Sequence, residues 1–212
     1  MTRHILQMDP RYLRLQFEKA VGKSIPKILA ELITNSDDSY KRVAKESDPR
    51  MYNEGFGKIY IVANHRKGTI RVIDQAQGIS KNEMEDKFVW YGRESEDRVR
   101  GIQTRSLFGK GLRDVLFTQK VGIVKSIKDG VSYIAKFYWG KPKGLEIVQP
   151  IVDIERGPKV NKDLRINWGI SENGTLVEFK LREDAPFSRH ETLLEKISNF
   201  YMLRMINSNP ER

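Results

Sequence analysis

With 212 residues, 39% of them hydrophobic and 31% charged, the chain is long enough for one well-buried core and too apolar for whole-chain disorder. The absence of cysteine excludes disulfides, thiolate metal sites and a cysteine nucleophile, and three scattered histidines, His4, His65 and His190, argue against a zinc site or a histidine-based triad. A net charge of +10, from 38 Lys and Arg against 28 Asp and Glu, favours an anionic partner, be it nucleotide, DNA or RNA, or a membrane surface.

Asp9-Pro10 reads as an N-cap and a first-turn proline, followed by Leu13, Phe17, Ala20 and Val21 at helical spacing, with Gly22 as the stop. Ser24 is expected to cap a second helix over about residues 25 to 44. At about 100° per residue, Glu31, Asn35 and Asp38 fall within about 60° of one another, beside an apolar arc of Ile28, Leu29, Leu32, Ile33, Ser36 and Tyr40. Lys27, Ala30, Thr34, Asp37 and Lys41 are expected to form its outward face, which makes the Glu31 stripe a second polar surface at the edge of the core.

Residues 45–57 have no period and read as a loop. Lys58 to Asn64 and Thr69 to Asp74 are rich in Ile, Val and Tyr across His65-Arg66-Lys67-Gly68, a hairpin pattern. Asp74 stands where the second strand stops, before a turn through Ile79, and Ser80-Lys81-Asn82-Glu83 is a capping box opening a short helix to about Trp90. The polar stretch over about 92–111 reads as a lid, since a loop of that length in a compact domain usually carries function. It ends in Leu107-Phe108-Gly109-Lys110-Gly111-Leu112, which leads into a helix to Phe117.

Strands are expected at Lys120 to Lys128, Val131 to Trp139 across an Asp129-Gly130 turn, Leu145 to Ile154 and Thr175 to Arg182. One short strand is expected near Leu164 to Trp168. A second capping box at Ser188 to Glu191 opens a final helix with an apolar stripe of Leu193, Leu194, Ile197, Phe200, Tyr201 and Leu203. Mostly antiparallel strands and helices sharing one face predict an α+β fold, a two-layer sandwich with a mostly antiparallel mixed sheet.

Neither GxxxxGK[ST] nor a strand-linked GxGxxG occurs, which disfavours a P-loop or a Rossmann site. Glycines just before a helix, at Gly109 and Gly111 with Lys110 between them, instead suit phosphate at an open helix N-terminus. Asp74 can accept a hydrogen bond from an exocyclic amine. Gly174-Thr175 opens a strand. Each signal alone is also met by an ordinary turn, cap or hinge.

In this order and spacing the four stretches resemble the motifs of the gyrase, heat-shock chaperone, histidine kinase and MutL (GHKL) ATPase superfamily. Glu31 to Ser39 is similar to its N-box, Asp74-Gln75-Ala76-Gln77-Gly78 to its Asp-x-Gly-x-Gly, Phe108 to Leu112 to the glycine motif ending the lid, and Gly174-Thr175 to its last motif. The match spans about residues 25 to 182 and is closest to the chaperone and MutL branches, since Glu31 stands where those branches carry a water-activating base and the histidine-kinase branch has none. The resemblance implies the Bergerat ATP-binding fold and a Mg²⁺-dependent ATPase, with Glu31 as the general base. It places Asn35 on the metal and Asp38 beside it as a steadying group. Asp74, supported by Thr175, would read the adenine amine, with Gly78 and Ile79 in its turn. Phe108, Gly109, Lys110, Gly111 and Leu112 would close over the phosphates. Ala76 departs from the pattern, and a positive φ there would cost about 1 kcal/mol.

The expectation is therefore a single domain over residues 1–212, core about 9–206, working alone with partners or as the N-terminal fragment of a longer protein. ATP and ADP are its expected ligands, an ATP-dependent homodimer is implied by the resemblance, and DNA or RNA is left open by the charge. No apolar run approaches the roughly 20 residues that span a bilayer, and no signal peptide opens the chain. No membrane partner is expected, and the expected compartment is the cytoplasm, or the nucleus in a eukaryote. A nucleotide-gated nucleic-acid or protein binding module with negligible hydrolysis is the rival reading, and a scaffold with a degenerate pocket is a third.

Overall fold

The computed structural model describes residues 9–21, 24–46, 55–90, 110–142, 146–183, 189–200 and 203. Among them run α1 (Pro10–Val21), α2 (Ile25–Lys45), β1 (Ile59–Asn64), β2 (Thr69–Asp74), α3 (Lys81–Phe88), α4 (Lys110–Thr118), β3 (Val121–Lys128), β4 (Val131–Gly140), β5 (Gln149–Arg156), α5 (Lys162–Trp168), β6 (Gly174–Lys180) and α6 (His190–Ser198). No helix among these residues is long and apolar enough to cross a membrane.

The strands form one six-stranded sheet in the order β1-β2-β6-β3-β4-β5. Period-2 patterning sorts its residues into rows across the central strands. Ile70, Phe179, Gly122 and Phe137 share one row, and Val72, Val177, Val124 and Ala135 the next. These rows face α2 and α4 in the main core, where Phe17 of α1 stacks on Phe117 of α4 at 5.3 Å between ring centroids and Phe117 meets Phe137 edge-on at 5.4 Å. Asp129 (φ 50°) and Gly130 (φ 76°) close the expected β3–β4 hairpin, both with positive φ as a two-residue turn of the right twist requires.

The α+β sandwich is as expected, with two differences in detail. The sheet is not mixed, because every neighbouring pair is antiparallel: β6 inserts between β2 and β3 and runs against both. Nor do all helices share a face. The stretch expected as a short strand near Leu164 to Trp168 is α5, capped by Asn161, whose Oδ1 accepts from the Leu164 amide at 2.8 Å, and closed by Gly169 at φ 70°. Its Leu164 and Trp168, four apart, pack with Ile73, Ile127, Ile170 and Leu176 on the face of the sheet away from α2, while Ile166 points outward, 67% exposed. Trp168→Ala is expected to lower stability by about 3–5 kcal/mol; an unchanged denaturation midpoint would show that this outer cluster contributes nothing.

Caps follow the sequence unevenly. Asp9 Oδ1 accepts from the Arg11 amide at 2.7 Å, and Ser80 with Glu83 forms the expected capping box. Ser24 holds the N-cap position of α2 with no side-chain capping bond. α6 starts after Arg189, with Leu193 buried but Leu194 exposed; Ser188 and Tyr201 lie outside the described residues.

Candidate functional site

The row that follows the two apolar rows is polar. Asp74 of β2, Thr175 of β6 and Ser126 of β3 are register partners across the three central strands and all are buried. Asp74, 6% exposed, accepts from the Ala76 amide through Oδ1 at 3.1 Å and from the Ser36 hydroxyl of α2 through Oδ2 at 3.3 Å. Burial pushes its carboxyl up to about 6 from 3.8, against the opposing pull of the Ala76 amide, Ser36, the Thr175 backbone and Arg42.

The turn after Asp74 is fixed from several sides. Gly78 has φ +71°, and a Cβ there would stand 2.2 Å from the Ile127 carbonyl oxygen, so only glycine fits. The Ile79 amide donates to Ser126 Oγ at 2.6 Å, and Ser126 Oγ donates to the Gly174 carbonyl at 3.1 Å, so one hydroxyl joins the second motif to the fourth. Tyr40 of α2 donates to the Lys58 carbonyl at 2.6 Å and accepts from the Gln75 amide at 2.7 Å. Asp129 is the only non-glycine with positive φ among the described residues, so the feared strain at Ala76 is absent. Ala76 instead packs against Tyr40 and Val43.

Glu83 anchors α3 beside this turn. Burial alone would raise its carboxyl, but hydrogen bonds from Lys128 Nζ, at 2.8 Å to both oxygens, and from the Ser80 hydroxyl and amide take it to about 2. A depressed carboxyl contributes stability that is complete above pH 4.5 and lost as pH falls towards 2. Glu83→Gln is expected to cost about 1–2 kcal/mol at neutral pH and to flatten the acid limb of the melting profile; an unchanged acid limb would refute the linkage.

Glu31 lies on the same helix as Ser36, and its carboxylate packs against the first turn of α4. A Cβ on Gly111 would fall 1.6 Å from Glu31 Oε1 and 2.3 Å from its Cδ. Burial raises the Glu31 carboxyl, the Asn35 side chain lowers it and Asp38 raises it again. Asn35 Nδ2 is buried with no hydrogen-bond partner of normal geometry. Asp38 is buried, with Lys41 Nζ 3.7 Å from its Oδ1 and 2.8 Å from Asp37 Oδ2. The outward face expected of α2 is outward only in part: Lys27 is exposed and Lys41 half-exposed, but Ala30, Thr34 and Asp37 are buried, Asp37 at 1% exposure, in a helix that α4 and α6 also pack against.

The structure thus gathers the expected residues into two groups joined by α2. Asp74, Thr175, Gly78 and Ile79 meet around Ser36 and Ser126, while Glu31 meets the start of α4 at Gly111, with the Asn35 side chain beside it and Asp38 further along α2. Leu112 is partly buried against the core. Lys110 opens α4, though its side chain lies outside the described residues, as do Phe108, Gly109 and the stretch expected as a lid. Sequence reading missed Ser36, Ser126, Tyr40 and Gln75. The available signal was a polar residue at an inward position: Ser126 continues the core-facing series Gly122, Val124, and Ser36 sits in the apolar arc of α2.

Fold and site together define an antiparallel α+β sandwich with a buried carboxylate at the end of an inner strand and a second carboxylate at a helix N-terminus. The chain matches no family model, and no curated protein matches its sequence.

Proposed function

We propose that the chain is a Mg²⁺-dependent ATPase domain of the GHKL type. One observation carries the reading: α2 sets Ser36 against Asp74 and Glu31 against Gly111, so motifs far apart in sequence meet along one helix. Asp74 accepts a hydrogen bond from the adenine amine, with Thr175 beside it. The amides at the start of α4, which have no partner inside the helix, take the phosphates. Glu31, with its carboxyl raised by burial, orients the attacking water and draws off its proton.

A magnesium ion would supply positive charge to offset the charge that develops on the phosphates during hydrolysis. Asn35 is the residue that would hold it. Its side chain hydrogen-bonds the Glu31 carboxyl, which sets the proposed base and the proposed ion ligand side by side on α2.

The net charge of +10 favours a second reading, a nucleotide-gated module that binds nucleic acid and hydrolyses little. One experiment separates them: melting temperature against ATP and Mg²⁺, with phosphate release followed in parallel. Ligand at about 100 times Kd is expected to add about 2.7 kcal/mol of stability. No shift rejects the nucleotide site, and a shift without phosphate release selects the second reading.

A further inference from the structure

A cavity of about 370 Å³ opens at the other end of the sheet, between α1, the end of α4 and the ends of β4 and β6. The β3–β6 register separates the two ends: Ser126 pairs with Thr175 near the candidate nucleotide site, while Val121 pairs with Lys180 beside this cavity. At about 3.3 Å per residue the five intervening steps span about 17 Å. The volume is in the range of small-molecule sites.

Its walls carry three cations, Arg14, Lys120 and Arg182, against one carboxylate, Glu18. Arg182 pairs with Glu18 at 2.8 Å, and Lys120 pairs with Glu183 at 2.8 Å, a partner whose side chain is 88% exposed and so readily exchanged. Arg14 has no carboxylate at ion-pair distance among the described residues; its guanidinium lies 4.7 Å over the ring of Trp139. That ring is itself fixed, since its Nε1 donates to the Phe117 carbonyl at 2.9 Å.

The second observation concerns Gln119, which lines the same cavity and is only 7% exposed. Its Nε2 donates to Thr118 Oγ1 at 2.9 Å, and that hydroxyl donates to the Val115 carbonyl at 2.7 Å. Its Oε1 is left buried without a donor. Such groups are few in native proteins and call for a partner. The soft terminal torsion of the amide lets Oε1 turn towards a donor seated in the cavity.

We infer that this cavity binds a small phosphorylated sugar or polyol, its phosphate held by Arg14 and Lys120 and a hydroxyl donated to Gln119 Oε1. Cations alone would take any anion, but the orphaned acceptor asks for a hydroxyl close to the charge. Arg14 suits the phosphate because a guanidinium offers it a planar fork of donors while the ring beneath holds the fork in place.

The test uses ribose 5-phosphate, ribose and inorganic phosphate as probes, read by calorimetry and by the Trp139 indole N–H resonance, assigned with Trp139→Phe. Ribose 5-phosphate is expected to bind at least tenfold more tightly than either of the other two. Arg14→Met and Gln119→Met are each expected to weaken it tenfold or more. Arg14 is exposed on α1, so its variant keeps the test valid if Gln119→Met fails to fold. Asp74→Asn is expected to leave this binding unchanged, which separates it from the proposed nucleotide site. The inference is overturned by no saturable binding at about 10 mM, by equal affinity for inorganic phosphate, by an unaffected Arg14→Met, or by loss of binding in Asp74→Asn.

Discussion

Asp74→Asn is expected to abolish ATP binding while making the free protein more stable near neutral pH. The wild-type carboxyl is raised from 3.8 to about 6 by burial, so the folded state holds its proton where the unfolded chain has released it. Below pH 3.8 both states are protonated and the group is neutral in the balance. Between about 4 and 6 stability falls as pH rises, and above 6 the penalty is complete, about 3 kcal/mol for a shift of about two units. Asparagine does not titrate, so the variant is expected to lose this slope and regain part of that stability. Its amide can still offer an oxygen to the Ala76 amide and hydrogen-bond with Ser36.

Binding moves the other way. An amide N–H₂ set against the adenine amine puts donor against donor, and the neutral residue cannot restore the acceptor of a carboxylate. The ATP-induced rise in melting temperature is therefore expected to vanish in the variant, and in the wild type to weaken as pH falls below about 6. Unaltered ATP affinity in Asp74→Asn would remove the pocket. A melting profile that keeps its slope between pH 4 and 6 would remove the linkage instead. The two readouts fail independently.

How far the sequence reveals all this depends on whether a residue's surroundings are local. Asp129-Gly130 between two β-rich runs specifies its own turn, and Ser80 with Glu83 specifies its own cap, because each needs only neighbours in sequence. The stretch Leu164-Arg165-Ile166-Asn167-Trp168 satisfies both periods: alternate residues suggest a strand, while Leu164 and Trp168 one turn apart suggest a helix. Asn161 and Gly169 at its ends decide for the helix. Burial of Ala30, Thr34 and Asp37 is decided by elements far along the chain, which no window around α2 contains. The link from Ser126 to Ile79 and Gly174 spans 47 and 48 residues and depends on β6 inserting between β2 and β3. Motif order brought forward residues that the fold does gather, Asp74 beside Thr175 and Glu31 beside Gly111, because order does not depend on seeing the contacts themselves.

Gly111→Ala is expected to cut phosphate release as deeply as Glu31→Gln, by at least about 100-fold, while ATP binding persists in both. In an ordinary helix the alanine would be stabilising by about 0.5–1 kcal/mol. Here its Cβ would arrive 1.6 Å from Glu31 Oε1, so the carboxylate must leave the start of α4 or the helix must shift. Either outcome moves the base from the water it would activate, and loss of rate without loss of binding marks an interaction made in the chemical step. The pair also predicts its own coupling. If both variants act by removing one base, the double variant Glu31→Gln with Gly111→Ala is no slower than either single one. Glu31→Ala, which removes the clashing carboxylate, is expected to restore the melting temperature of Gly111→Ala without restoring turnover. Single-turnover phosphate release and melting temperature across the set read both effects. Full turnover in Glu31→Gln would end the case for Glu31 as the base, and full turnover in Gly111→Ala would show that the contact between α2 and α4 has no part in catalysis.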